Sequence, residues 1–271
     1  MKKFLSMVLA LAMSTSLFTF SASAKDFTDS SKIKYNEAVD VVSALDIVDG
    51  YADGSFNPSA TLTRGAAAKI ICNLILGPTT ADALSADTAP FKDVPANHTF
   101  SGYIAYCAQK GIISGYSDGT FRPAGTLTGY AFMKMLLGAL GYDADIEGYT
   151  GANWTVAVAK QAMGIGLDDG NDKFIGTQAV TREEACLYAF NTLTADVVEY
   201  GSKTTVNVNG ATVVVGGNEA SKVANTAVAS KHYNGEGDGV MQFCEQYFKD
   251  LKLKSGEAQD EFGRPAKTWY N

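Results

Sequence analysis

An eleven-residue pattern that occurs twice limits the possible folds more than any other feature of this chain. Val48-Asp49-Gly50-Tyr51-Ala52-Asp53-Gly54-Ser55-Phe56-Asn57-Pro58 returns 65 residues later as Ile113-Ser114-Gly115-Tyr116-Ser117-Asp118-Gly119-Thr120-Phe121-Arg122-Pro123. The shared frame continues through Thr61-Leu62-Thr63 and Thr126-Leu127-Thr128. Self-similarity of this kind marks stacked supersecondary units, none of which can bury its apolar face alone. A third, more divergent copy begins near Trp154, passes Gly164-Ile165-Gly166 and Asp169-Gly170, and reaches Phe174 and Val180-Thr181-Arg182. There the aromatic follows Asp-Gly by four positions instead of two, and the proline is missing.

Each copy reads as helix, turn-rich loop, helix. In the first, Tyr35, Ala38, Val39, Val42 and Leu45 share one face of an amphipathic helix. A second helix runs from Thr63 through Ile70, Ile71 and Leu74 to Gly77-Pro78, where glycine and proline stop it. Its counterpart runs from Thr128 to about Leu140, with Gly141 as the C-terminal glycine. The Asp-Gly pairs suit a tight turn at positive φ, and the aromatic that follows folds back onto the helices. Thr181 with Glu184 three residues on predicts a reciprocal capping box.

At the N-terminus, Lys2 and Lys3 precede an apolar stretch from Phe4 to Phe20 that ends in Ala22-Ser23-Ala24. This predicts a cleaved signal peptide over residues 1–24, hence an exported protein with no membrane segment after cleavage. Losing the two lysines takes the formal charge from −7 to −9, which argues against a basic face for nucleic acid. An anionic partner must be met by a few local cations. Cys72, Cys107, Cys186 and Cys244 stand singly, without the C-x-x-C spacing of zinc or redox sites. Export permits disulfides, while the apolar neighbours of Cys72, Cys107 and Cys186 favour buried free thiols.

Phe27-Thr28-Asp29, Phe91-Lys92-Asp93-Val94-Pro95, the Gly-Tyr-x-Asp-Gly-x-Phe-x-Pro loops and the Thr-Arg helix starts resemble S-layer homology modules. The likeness covers about residues 26–195 and implies a mainly α fold: three helix-loop-helix modules in a pseudo-threefold bundle. The expected boundaries are 25–82, 83–143 and a degenerate 144–196, followed by a small region with a β-hairpin over 197–271. What the resemblance implies for function is non-covalent anchoring to the cell wall. In that family, grooves between modules bind an anionic secondary cell-wall polysaccharide, often carrying ketal-linked pyruvate. No catalytic activity, cofactor or metal is expected.

Site residues carry over position by position. The family's helix start reads Thr-Arg-Ala-Glu; Arg64 and Arg182 match the arginine, whose planar fork suits a carboxylate beside a helix N-terminus. The first copy has Gly65-Ala66 in place of Ala-Glu, and the second has Gly129 in place of the arginine. At most two competent grooves are therefore expected. Tyr130 either stacks on sugar or packs. Asp29 and Asp93 match a family aspartate that bonds sugar or the next loop; capping a helix is the other reading. Trp154, with Tyr103 as its counterpart, either faces the ligand or fills the core. His98 falls where the family often has histidine before an aromatic, and with His232 the only other histidine, a histidine-built site has little to draw on.

Asp49 to Gly54 fails as a calcium loop because Tyr51 takes a ligand position, and Asp168-Asp169-Gly170-Asn171-Asp172 lacks the distal glutamate. In the tail, Thr204 to Val215 reads as a hairpin turning at Asn209-Gly210. Phe243, Tyr247 and Leu251 then suggest a helix within Val240 to Leu253, and Asp260 to Trp269 resembles a link to further domains. Two alternatives stay open: a self-assembling S-layer lattice subunit, and the truncated anchor of a wall-associated hydrolase.

Overall fold

The computed structural model describes residues 25–202, 204–208, 211–226, 239–249, 251–259 and 265–270. The expected leader at 1–24 and the hairpin turn at Asn209-Gly210 lie outside them. The protein is mainly helical. First helices of the copies are α1 (Asn36–Ala44), α4 (Ser101–Gln109) and α6 (Trp154–Gly164); second helices are α2 (Arg64–Leu76), α5 (Gly129–Ala139) and α7 (Arg182–Leu193). A short α3 (Pro78–Asp82) follows α2 directly. Gly77 at φ 75° turns the chain, and Pro78 then opens α3, where its fixed φ suits a first turn.

The second helices begin alike because each has a threonine cap. Thr63, Thr128 and Thr181 accept from the N–H groups of Ala66, Ala131 and Glu184, and Glu184 returns a bond to the Thr181 N–H at 2.8 Å. Such a cap contributes about 1 kcal/mol. The loop glycines Gly54, Gly119 and Gly170 all sit at positive φ, as the Asp-Gly turns require. Phe56 and Phe121 fold back and are fully buried in the core that also holds Val39, Val42, Ile71, Leu74, Met133 and Leu136. Side chains of this kind stabilise by about 1.5–3 kcal/mol each on burial.

Three extended stubs meet at the centre. The Leu62 N–H donates to Val180 O at 2.8 Å, the Val180 N–H to Leu127 O at 2.9 Å, and the Leu127 N–H to Leu62 O at 3.2 Å, closing a ring. Each second helix then sends its first two N–H groups, which have no partner within their own helix, into another copy's loop. Arg64 and Gly65 donate to Gly125 O and Pro123 O; Gly129 and Tyr130 donate to Gln178 O and Gly176 O; Arg182 and Glu183 donate to Ala60 O and Pro58 O. The first copy thus engages the second, the second engages the third, and the third returns to the first.

The segment after α7 docks on this body instead of trailing from it. β1 (Val198–Tyr200) pairs antiparallel with β4 (Ala220–Lys222), and the Val198 N–H donates to Leu140 O at 2.9 Å. Gly141, at φ 105°, lies so close to the Val198 carbonyl that a side chain there would strike it. β2 (Thr204–Val208) and β3 (Ala211–Val215) form the expected hairpin. α8 (Phe243–Tyr247) inserts Phe243 and Cys244, both fully buried, into the core. The helix expected as far as Leu253 is shorter: at Phe248 the backbone leaves the helical region, φ −127° and ψ 60°. From Lys252 the chain is strand, β5 (Lys252–Gln259), paired antiparallel with β6 (Pro265–Tyr270).

Candidate functional site

Arg64 opens α2 in the first copy, but its side chain belongs to the second. Its Nε donates to Phe121 O at 2.8 Å and its Nη2 to Ser114 O at 3.1 Å. The guanidinium lies 4.3 Å from the centre of the Phe121 ring and 5.1 Å from that of Tyr116, within cation-π range. Tyr116 also carries the Arg122 guanidinium at 4.1 Å, and Arg122 is paired with Asp118 at 2.9 Å. Beside Arg64 runs a groove of about 340 Å3, walled by Tyr116, Lys134, Tyr149, Thr150 and Trp154. Lys134 donates to Tyr149 O at 2.7 Å and sits 5.8 Å from the centre of the Trp154 ring.

Electrostatically this groove is unbalanced. Burial holds Lys134 below the usual lysine range, and burial with the neighbouring Arg122 lowers Arg64 against the opposing pull of Tyr116 and Asp93. Among the described residues no carboxylate forms an ion pair with Arg64 or Lys134. Two partly desolvated cations, which feel Asp93 and Asp145 only at a distance, gain by meeting an anion, and the aromatic walls give a sugar ring a face to lie on.

Arg182 repeats the first arrangement against the loop of the first copy. Its Nε donates to Phe56 O at 2.9 Å and its Nη2 to Asp49 O at 2.8 Å, with Tyr51 and Phe56 ring centres 4.7 Å and 4.9 Å away. Lys69 stands 5.8 Å from the Tyr103 ring centre, matching Lys134 on Trp154. Here the lysine already has a partner: Asp82 lies 3.4 Å from Lys69 and accepts from the Tyr103 hydroxyl at 2.7 Å. The Tyr103 hydroxyl and Lys69 together hold the Asp82 carboxyl below its usual range.

At the third equivalent place the arginine, tyrosine and lysine are all replaced. Gly129 stands for the arginine, Leu167 for the loop tyrosine and Leu187 for the lysine, and both leucines are fully buried. Tyr130 meets Phe174 edge to face at 5.7 Å, and Phe174 meets Tyr188 in the same way at 5.6 Å. The cavity left beside them is about 100 Å3. Tyr130 is therefore a packing residue.

Asp29 and Asp93 spend their carboxylates on the loops. Asp29 accepts from the N–H groups of Phe56 and Asn57 at 2.7 and 2.9 Å, and Asp93 from those of Phe121 and Arg122, both at 2.7 Å. The Phe56 bond leads in lowering Asp29; for Asp93 the two bonds outweigh an opposing desolvation. Asp29 makes no side-chain cap bond to the short 3-10 turn Ser30–Lys32 that follows it. His98 accepts from the Phe100 N–H at 3.1 Å. The turn aspartates are engaged as well: Asp53 takes bonds from Ser55 and Asp118 from Thr120, and the Thr120 bonds and Arg122 pull Asp118 down to about 2. This is turn chemistry, as the sequence suggests.

The structure brings Arg64 and Trp154, each named separately from the sequence, to one groove, while sequence reasoning passes over Lys134, Tyr51 and Tyr116 as site residues. A signal existed for each. The tyrosine recurs in both loop copies yet stays 48% and 42% exposed, and lysine recurs five residues into α2 and α5, at Lys69 and Lys134.

Residues 26–68 and 90–129 match the family model of the S-layer homology domain. A surface layer protein of Brevibacillus choshinensis is 25% identical over 217 residues, covering 79% of this chain and 19% of that protein. A cellulosome-anchoring protein of Acetivibrio thermocellus is 35% identical over 79 residues, covering 29% and 17%. An uncharacterized cell wall amidase of Bacillus anthracis is 30% identical over 156 residues, covering 54% and 28%. The chain spans less than a third of the length of each of these relatives. The repeated loops and the capped helix starts thus fall where two segments of the chain, residues 26–68 and 90–129, match the S-layer homology domain.

Proposed function

We propose that this chain is a non-covalent anchor to the bacterial cell wall, which holds an anionic secondary wall polysaccharide in grooves between its copies. The observation that carries this reading is the Arg64 groove. Arg64 and Lys134 converge there without a carboxylate partner among the described residues, beside the exposed ring of Tyr116 and the ring of Trp154. The guanidinium bonds to the loop use Nε and Nη2, so a planar edge remains for a carboxylate such as that of a ketal-linked pyruvate. Arg182 supplies the second groove. Asp29 and Asp93 act by bracing the loops that form the groove walls.

In this reading the copies at 25–82, 83–143 and 144–196 form one pseudo-threefold bundle, which the ring of bonds among Leu62, Leu127 and Val180 supports. The protein works at the cell surface after loss of its leader, and its role is adhesive instead of catalytic. The relatives named for surface layers and for anchoring support this placement. The match to a cell wall amidase supports a second reading, the anchoring part of a wall hydrolase. A catalytic domain encoded in frame beyond Asn271 would favour it.

Co-sedimentation of the exported chain with purified cell walls, before and after chemical removal of the secondary polymer, tests the proposal. Binding that disappears with the polymer is the expected result. Binding indifferent to its removal would overturn the anchor mechanism, and sheets that grow with protein concentration without polymer would favour a lattice subunit.

A further inference from the structure

Cys72 on α2 and Cys107 on α4 face each other across the seam between the first and second copies, sulfur to sulfur at 3.6 Å. Both side chains are fully buried. Each sulfur also reaches a backbone carbonyl of the opposite helix, Cys72 to Tyr103 O at 3.6 Å and Cys107 to Ala68 O at 3.7 Å. The two side chains therefore point at one another from helices already in contact. A disulfide holds its sulfurs about 2.05 Å apart, and rotation about the two Cα–Cβ bonds changes the present gap.

We propose that Cys72 and Cys107 are a disulfide-forming pair that clamps the first two copies together when the chain folds outside the cell. An exported protein meets conditions in which such bonds persist. The oxidant is a small-molecule disulfide of the glutathione class. One protein thiolate attacks it, releasing a small thiol and leaving a mixed disulfide; the second protein thiolate then displaces the other small thiol. The two cysteines lose two protons and two electrons, and the small disulfide gains them as two thiols.

Timing follows from burial. The attacking species is a thiolate, and in the folded protein the bond to Cys72, together with burial, pushes the Cys107 thiol far up. The bond therefore forms while α2 and α4 are closing, not afterwards. Among the described residues Cys186 and Cys244 have no facing cysteine like that of the Cys72 and Cys107 pair, and they remain thiols. The clamp does not depend on what the grooves bind.

The test is to unfold and reduce the exported chain, refold it with oxidised glutathione, unfold it again in iodoacetamide, and map peptides by mass spectrometry. The expected product joins the Cys72 and Cys107 peptides and leaves Cys186 and Cys244 alkylated. Its melting temperature should stand about 10 °C above that of the reduced protein, and the Cys72→Ala/Cys107→Ala variant should lose that difference. Glutathione added to the already folded protein should give little of this product. Four alkylated cysteines after oxidative refolding to native circular dichroism would overturn the proposal. So would cross-links to Cys186 or Cys244, or a melting difference that survives the double substitution.

Discussion

The place where the second helix of the first copy meets the second copy, and the place where that of the second meets the third, share one backbone and differ in side chains. At both, two helix-start N–H groups donate into the neighbouring loop, and a threonine caps the helix. At the first, Arg64, Tyr116 and Lys134 leave an open cationic groove of about 340 Å3. At the second, Gly129, Leu167 and Leu187 replace them, and Tyr130 packs on Phe174. The lesson is that the copies join through backbone bonds and caps. Arg64 and Arg182 add two side-chain bonds each to their joints, yet the joint at Gly129 closes without an arginine, so the guanidinium edge they leave over is available for a ligand.

The largest expected effect follows from that separation. Arg64→Ala should weaken binding of the isolated polymer by about 10- to 100-fold, the value of charge-assisted bonds to an anion, and lower the melting temperature by about 2–8 °C through its two lost loop bonds. Calorimetric titration and a thermal melt on the same sample would show this. The opposite pattern is expected from Gly176→Ala, whose new methyl would strike the Tyr130 ring. It should cost about 1–3 kcal/mol of stability by overpacking and leave polymer affinity per folded molecule unchanged. Restoring an arginine at Gly129 by substitution alone should not create a groove, because a Cβ there lies 2.8 Å from the Phe174 ring.

Much of this contrast was legible in the sequence. The repeats, the threonine caps, the buried Phe56 and Phe121, and the missing arginine at 129 follow from local spacing and local chemistry. The walls of the groove do not. Lys134 and Trp154 share no local pattern; they meet because α5 packs on α6, and Tyr116 becomes a platform only when Arg64 arrives from another copy. Asp29 was legible as a module-start aspartate, yet which N–H groups it holds depends on a loop 27 residues away. The end of α8 was misread because Leu251 keeps helical spacing after the backbone has left the helix at Phe248.

Two smaller effects refine the comparison. Asp93→Asn should remove one of the two backbone bonds and take the charge from the other, since the amide keeps a single accepting oxygen; solvent exposure trims the loss to about 1 kcal/mol, measurable by urea unfolding. Asp29 and Asp93 both titrate below the ordinary carboxylate value in the folded protein. Their contribution is thus complete above that value and is lost as pH falls through the lowered one, and Asp93→Asn should flatten this acid limb. Lys134→Gln should weaken polymer binding several-fold. Because burial lowers the Lys134 pKa, wild-type affinity should fall at a pH below the usual 10.5 of lysine, and the variant should lack that fall.

The central claim is that the two arginines bind the polymer in addition to bracing the loops they reach. Co-sedimentation of the Arg64→Ala/Arg182→Ala chain with polymer-bearing cell walls tests it most directly, with circular dichroism and melting recorded on the same preparation. The account predicts a native spectrum, a lowered but still cooperative melt and protein left in the supernatant. A native protein that still pellets with the walls would contradict it.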